Sequence, residues 1–412
     1  MNQLKLDLLA LRSNIHQIDR WVMSHKDASW ALVTKVLCGH AGTLRALSEL
    51  GVRSMADSRL GNLAEIADLE QDIETWYLRP PHLPVIADVV RLSDVSLNSE
   101  TSIIEALNEA AGRQGKIHRI VIMIELGDLR EGVLPGSLLG FYEHVFELPN
   151  IEVIGIGSNL GCLSGAIPSV EQFSQLLLYH ELLELKFKRK LPVISAGTSA
   201  ALALLRDGGV PEGINHFRIG ESAFLGTDLV KGGILEGLRD DVITLEADVV
   251  EIREKSLAPG GETTDMMPFE SFDTSEMAPG SRGYRAVVTV GQLDTDIGGL
   301  TPMNQNYTVV GASSDLAVVN VGDNPDRLVI GDTIKFRVAY GALVRLFLSK
   351  YIDKVLMPPL DYFLREKDDA RDVHLPPTLR APGPSEIVQD RTVALTPPDG
   401  ESKKGTQWNS SR

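Results

Sequence analysis

A lysine closes an apolar run near the start of the chain, in Ser29-Trp30-Ala31-Leu32-Val33-Thr34-Lys35-Val36-Leu37-Cys38-Gly39-His40. The run reads as a buried strand that ends on an amine. A charged amine is costly to bury, unless it forms a Schiff base with an aldehyde-bearing cofactor and so becomes a covalent link. A lysine snorkelling from a strand end would explain the same residue. Two later stretches suit an anion. Ser195-Ala196-Gly197-Thr198-Ser199-Ala200-Ala201 follows an apolar run and opens a helical one. Its small residues let the backbone approach a ligand, its hydroxyls can donate, and a helix N-terminus adds a favourable dipole. A plain N-cap at Thr198 would account for the segment equally well. His216-Phe217-Arg218-Ile219-Gly220-Glu221-Ser222 comes next and brings a cation with it.

The elements that must position these groups alternate. Short apolar runs at 30–36, 52–56, 76–78, 95–97, 120–126, 151–155, 193–195 and 217–219 read as strands. Helical patterns lie between them, at 42–50, 62–69, 84–92, 102–111, 136–147, 170–190 and 199–205. Eight β/α units imply an α/β fold with an N-terminal parallel (β/α)8 TIM barrel, assigned to residues 1–235. An open doubly wound sheet would alternate similarly, but no GxGxxG follows the first strand. Catalytic groups of such a barrel sit at the C-terminal strand ends. Those ends carry Lys35, Asp57, Ser58, Arg79, Asn98, Glu125, Arg130, Ser158, Asn159, Ser195, Thr198, Ser199 and Arg218. The loops after the seventh and eighth strands are the usual phosphate site of the fold, and the two anion-friendly stretches fall there.

Beyond residue 235 the texture becomes β-branched runs separated by Gly, Pro and Asp, which predicts a C-terminal all-β domain over 236–355. Residues 258–282 form a long Pro-, Gly-, Ser- and Thr-rich insertion. The proline-rich polar stretch 366–412 cannot bury a core and is expected to be disordered. The chain has 412 residues, is 43% hydrophobic and 23% charged, and carries a formal charge of −16. That charge argues against nucleic acid or an anionic membrane surface as partner. The two cysteines give no disulfide framework. No signal peptide is evident, and no apolar stretch approaches the roughly 20 residues that span a bilayer. A cytoplasmic location is the expectation.

These segments together resemble the fold-type III pyridoxal-phosphate enzymes of the alanine/ornithine racemase family, over about residues 1–355. Val33-Thr34-Lys35-Val36-Leu37-Cys38-Gly39-His40 is similar to that family's lysine–x–x–x–Tyr–Gly–His motif, one residue shorter and without the tyrosine. The ornithine-racemase-like branch is the nearest in flavour. Its resemblance rests on Glu125-Leu126-Gly127-Asp128-Leu129-Arg130, Ser158-Asn159-Leu160-Gly161-Cys162, Gly197-Thr198-Ser199-Ala200-Ala201 and Gly311-Ala312-Ser313-Ser314-Asp315. The resemblance implies an amino-acid racemase with pyridoxal 5'-phosphate on Lys35. It places Thr198, Ser199, Gly220 and Glu221 at the phosphate, the last two through backbone N–H. Arg218 would face the pyridine nitrogen, Asn159 would lie where alanine racemases carry a histidine, and Arg130 would lie near the cofactor and the substrate carboxylate. The lysine that partners this arginine in many alanine racemases corresponds to Met123. It also implies a head-to-tail homodimer, in which one subunit's β-domain, with residues 311–315, closes the other's barrel mouth.

Racemisation needs an acid/base on each face of the reacting carbon. Lys35 serves one. The tyrosine expected for the other, in a Ser-Tyr-Gly context, is absent from Gly261-Glu262-Thr263-Thr264-Asp265. Tyr284, Cys162, Asp265 and Asp315 are the alternatives. A basic substrate would want a carboxylate at the far end of the pocket, for which Asp128, Asp294, Asp296 and Asp315 are available. Competing readings are a decarboxylase or lyase of the same fold, a non-catalytic pyridoxal-phosphate protein, and a cofactor-free binding module. Metal-dependent relatives need His or Cys ligands in the β-domain, and residues 217–373 contain neither; no metal site is expected.

Overall fold

Strands buried on both faces build the first domain. The computed structural model describes residues 2–161, 163–257 and 280–362. Eight parallel strands close into a barrel in sequence order: β2 (Ser29–Val33), β3 (Ser54–Asp57), β4 (Glu74–Tyr77), β5 (Val95–Asn98), β6 (His118–Ile124), β7 (Ile151–Ser158), β8 (Val193–Thr198) and β9 (His216–Ile219). On β2, Ala31 and Val33 point into the barrel while Trp30 and Leu32 point out against the helices. The same parity puts Ala56, Trp76, Val121, Met123 and Val193 inside and Met55, Tyr77, Ile120 and Ile122 outside, as alternating Cβ directions require. The interior is therefore filled, and the open face lies at the strand ends. All eight expected strands are present.

Between the strands run α2 (Ala41–Glu49), α3 (Leu60–Ala67), α4 (Ile86–Leu92), α5 (Thr101–Arg113), α6 (Leu138–Val145), α7 (Val170–Phe187), α8 (Leu202–Arg206) and α9 (Glu221–Leu225). Glycine is required where β8 meets β9. A Cβ on Gly197 would lie 1.9 Å from Cδ1 of the buried Phe217 ring. We expect Gly197→Ala to destabilise the barrel by about 1–3 kcal/mol, the usual scale of overpacking. A denaturant midpoint unmoved by the substitution would contradict this packing.

The chain start is a strand as well: Gln3-Leu4-Lys5-Leu6-Asp7 alternates polar and apolar residues and buries Leu4 and Leu6, a pattern too short to stand out in the sequence. β1 (Gln3–Asp7) runs antiparallel to β10 (Ile243–Ser256) and parallel to β16 (Asp353–Met357), so the first strand belongs to the second sheet. Asp7 then caps α1 (Leu8–Met23), its carboxylate accepting the Ala10 amide at 2.8 Å. Leu8, Leu11, Ile15, Ile18 and Val22 follow at helical spacing and are buried.

The remaining strands are β11 (Arg282–Val288), β12 (Leu300–Pro302), β13 (Thr308–Ala312), β14 (Ala317–Asn320) and β15 (Thr333–Val338). They form an antiparallel sheet in the order β12-β15-β10-β11-β14-β13. This domain also holds a helix, α10 (Tyr340–Leu348), absent from the β-branched reading. It buries Ala342, Leu343, Leu346 and Phe347, and its turn near Val344 accepts a contact from Cys38 Sγ at 3.6 Å. The second domain thereby reaches the loop that carries Lys35. Most of the insertion, at 258–279, and the tail 366–412 lie outside the described residues. Among the described residues no helix is long and apolar enough to cross a membrane.

Candidate active site

The loop after β2 turns earlier than its apolar run suggests. The strand ends at Val33, and Lys35 opens a single 3-10 turn, Lys35–Leu37. Thr34 forces the turn. Its amide donates to Ala56 O at 2.9 Å and its hydroxyl donates to Asp57 Oδ2 at 2.9 Å. Lys35 consequently leaves the barrel wall and is exposed at its mouth. The buried amine inferred from the sequence is corrected: Lys35 stands in an open cavity, so the desolvation cost argued for it does not arise.

That cavity has a volume of about 830 Å³ and sits on the C-terminal ends of the barrel strands. Lys35, Arg130, Asn159, Thr198, Ser199, Arg218, Gly220 and Glu221, the full set of site residues named from the sequence, line it together. Ser58, Arg59, Arg79, Glu131 and Tyr340 line it as well. Arg59 and Tyr340 were missed. Arg59 lies one residue past the recognised strand end Asp57-Ser58, and Tyr340 arrives on α10 from the second domain.

At the β8 and β9 ends three polar groups converge. Ser199 Oγ accepts the Gly220 amide at 3.1 Å and the Ser222 amide at 3.4 Å. The Ser199 hydroxyl proton has no acceptor among the described residues, so it is left to donate into the cavity. A Cβ on Gly220 would lie 2.9 Å from both Cβ and O of Val33, which fixes glycine at this point. Thr198 is the cap of the turn: its Oγ1 accepts the Ala200 amide at 3.3 Å and donates to Leu160 O at 3.3 Å. Glu221 turns its carboxylate to Thr227 Oγ1 at 3.3 Å, and burial raises its pKa.

Arg218 is buried and held from both sides. Its guanidinium donates to Ser195 O at 2.9 Å, to Ser195 Oγ, and to Ser158 O at 2.8 Å. Ser195 Oγ also lies 2.7 Å from Nδ1 of His216, whose ring stacks on Trp76 at 4.2 Å. Burial, with Arg218 nearby, lowers the His216 pKa to about 3, so this imidazole is neutral and Arg218 is the charge in the network.

Arg130 forks onto the adjacent Glu131 through both Nε and a terminal nitrogen. Asn159 Nδ2 donates to Asp128 Oδ2 at 3.3 Å. Asp128 is buried and also accepts the Leu163 amide at 3.0 Å. It braces the loop after β7 and does not line the cavity, which removes it from the carboxylates offered for a basic substrate. Asp315 and Tyr284 are exposed on the second domain, away from the lining of this cavity. Cys162 and Asp265 lie outside the described residues.

The lining carries five cationic side chains, Lys35, Arg59, Arg79, Arg130 and Arg218, against two carboxylates, Glu131 and Glu221. In a chain of net charge −16 this excess marks a place for anionic ligands. Among the described residues no cluster of three His, Cys, Asp or Glu side chains could hold a metal ion.

Residues 6–228 match the family described as alanine racemase, N-terminal domain. The chain is 36% identical over 358 residues to the ornithine racemase of Acetoanaerobium sticklandii, covering 86% of this chain and 99% of that protein. It is 31% identical over 330 residues to the lysine racemase of Thermotoga maritima, covering 80% and 91%. Among solved structures, the alanine racemase of Streptomyces coelicolor shares the fold at a TM-score of 0.67 and 19% identity, over 87% of this chain and 98% of that one. That of Bartonella henselae, with covalently bound pyridoxal phosphate, does so at 0.65 and 17%, over 86% and 99%.

Proposed function

The chain belongs to the alanine racemase family, and from that premise we propose that it racemises a basic amino acid, ornithine or lysine, with pyridoxal 5'-phosphate held on Lys35. The observation that carries the reading is one cavity that joins an exposed lysine, an anion-receiving corner and a buried arginine. The donor set fits the cofactor. Lys35 offers a primary amine to an aldehyde, Ser199 and the amides beside Gly220 offer donors to a phosphate, and the glycine leaves room for one.

Bound there, pyridoxal phosphate supplies an electron sink that makes the α-proton of an amino acid removable. The chain's own residues then set the outcome. Lys35 Nζ, once freed, takes the α-proton from one face and can return it. The Ser199 hydroxyl and the Glu221 amide would hold the phosphate end, with the Gly220 amide orienting Ser199 Oγ. Arg218 donates only and stays charged, so beside the cofactor's ring nitrogen it would offer no acid to protonate it. A shallower sink favours quick return of the proton over side reactions.

The reading includes a homodimer and a cytoplasmic location, where free amino acids are. The barrel mouth is open, and the second domain of a two-fold partner is the natural cover that keeps water out. The test of the activity is a chirality-resolved screen of the purified protein with L-ornithine, L-lysine and L-alanine. D-ornithine or D-lysine should accumulate towards a one-to-one mixture. Turnover of alanine alone would overturn the basic substrate, and no turnover of any amino acid would overturn the racemase.

A further inference from the structure

We propose that His216 is a positioning residue for Arg218: its Nδ1 accepts the Ser195 hydroxyl, so that Ser195 Oγ turns its lone pairs to the Arg218 guanidinium; this rests on the racemase reading above. Ser195 and His216 are direct partners in the register of β8 and β9. Arg218 lies two residues beyond His216 on the same strand, so both side chains take the same face. That face is the barrel interior. The His216 ring stacks on Trp76 of β4, and β4 and β9 are not neighbours in the barrel, so the two rings meet only across its inside.

The polarity of the contact follows from what each group can do. Ser195 is buried. Among the described residues its Oγ has two polar partners, a terminal nitrogen of Arg218 and, at 2.7 Å, Nδ1 of His216. A guanidinium has no lone pair to offer, so the hydroxyl proton can go only to Nδ1. Nδ1 must then be bare, and the imidazole neutral with its proton on Nε2. Burial and the nearby guanidinium both work against a charged ring. A protonated ring would aim a second donor at Ser195 Oγ and leave the hydroxyl proton buried without an acceptor, which is costly.

Arg218 depends on that direction. Its guanidinium reaches Ser195 O at 2.9 Å and Ser158 O at 2.8 Å. The two carbonyls give two points of attachment, and a planar group needs a third to fix its tilt; Ser195 Oγ supplies it. The imidazole behind Ser195 is itself fixed. Its ring lies 4.2 Å from that of Trp76 with 15° between the planes. The Trp76 indole donates to Glu74 Oε2 at 2.9 Å, and Glu74 pairs with Arg119 at 3.1 Å. A column of side chains thus runs through the barrel, from the Arg119–Glu74 pair up to Arg218 in the cavity.

The experiment sets His216→Asn, which keeps an acceptor near the Nδ1 position but loses the ring on Trp76, against His216→Phe, which keeps the stack and loses the acceptor. In the cofactor-loaded protein His216→Phe should lower kcat for ornithine about 10-fold or more at an unchanged KM, the scale of one hydrogen bond to a charged group. His216→Asn should keep most of the rate. Melting temperatures should run the other way, because His216→Asn opens a cavity beside Trp76. Ser195→Ala should match His216→Phe in rate and serves if the His216 variants do not fold. Two readouts need no cofactor. Nitrogen NMR of histidine-labelled protein should show one ring, missing from His216→Phe, with a bare Nδ1 and a protonated Nε2. The Arg218 guanidinium signals should move in His216→Phe and Ser195→Ala and stay nearer wild type in His216→Asn. Rates that follow melting temperature, with His216→Phe the faster, would overturn the assignment and leave His216 a packing residue. A proton on Nδ1, or Arg218 signals unmoved by any variant, would overturn it too. Failure of the racemase reading looks different: no amino acid changes handedness on the wild-type protein, while the imidazole and guanidinium signals still behave as expected and uphold the positioning.

Discussion

Lys35→Ala should abolish the yellow absorbance of the cofactor-loaded protein and lower racemisation about 10³-fold or more, because it removes both a covalent anchor and an acid/base. Borohydride should fix the cofactor to the wild-type chain and release none on denaturation, whereas the variant should trap nothing. Folding should survive. Lys35 is exposed in the cavity, and the turn it opens is fixed by Thr34 on Ala56 and Asp57, not by the lysine side chain. An unchanged melting temperature together with lost colour is therefore the expected pair of results. Wild-type protein that shows no such band after reconstitution would remove the premise of the chemistry. A variant that keeps the band would move the anchor to another amine.

The barrel was legible because its strands are short apolar runs whose two faces are both buried. Ala31 and Val33 face inward while Trp30 and Leu32 face outward, so every position is apolar and the run stands out. What the sequence hid depends on partners far away in the chain. Gln3–Asp7 alternates like a strand, but its place in the second sheet comes only through Leu4 beside Leu245 and Lys5 beside Val355. The turn at Thr34 depends on Asp57, so the apolar run overstated the strand and put Lys35 in the wrong environment. Lys35, Ser199 and Arg218 could be named because they sit in local patterns at strand ends. Arg59 could not, since it sits past the end of β3 in no local motif and meets the cavity only because the closed barrel sets β3 beside β2. Asp128 looked available to a basic substrate for the opposite reason: its burial beneath the Leu163 amide is set by a loop whose path no local motif gives.

Arg218→Glu should lower kcat about 10²-fold, the scale expected when one preorganised donor of an active site is lost, and should change the visible spectrum of the loaded protein during turnover. Arg218 now donates to Ser195 O and Ser158 O. A carboxylate in its place would face those two carbonyl oxygens with nothing to give them unless it keeps a proton. Burial favours the protonated form, so the introduced side chain would be a neutral acid beside the ring nitrogen and could hand its proton over. A protonated ring holds negative charge more deeply, so the substrate would wait longer for its proton to return, and a long-wavelength band should build up. The same change withdraws a donor from Ser195 Oγ and leaves His216 as its remaining partner, so some stability should be lost, about 1–3 kcal/mol for the orphaned carbonyls. Arg218→Lys separates the two effects. It keeps a charge that cannot easily be lost but gives up the fork, so it should lose stability without gaining the new band. If Arg218→Glu folds and shows wild-type rate and spectrum, Arg218 does not face the ring, and its charge serves only to close the barrel between Ser158 and Ser195.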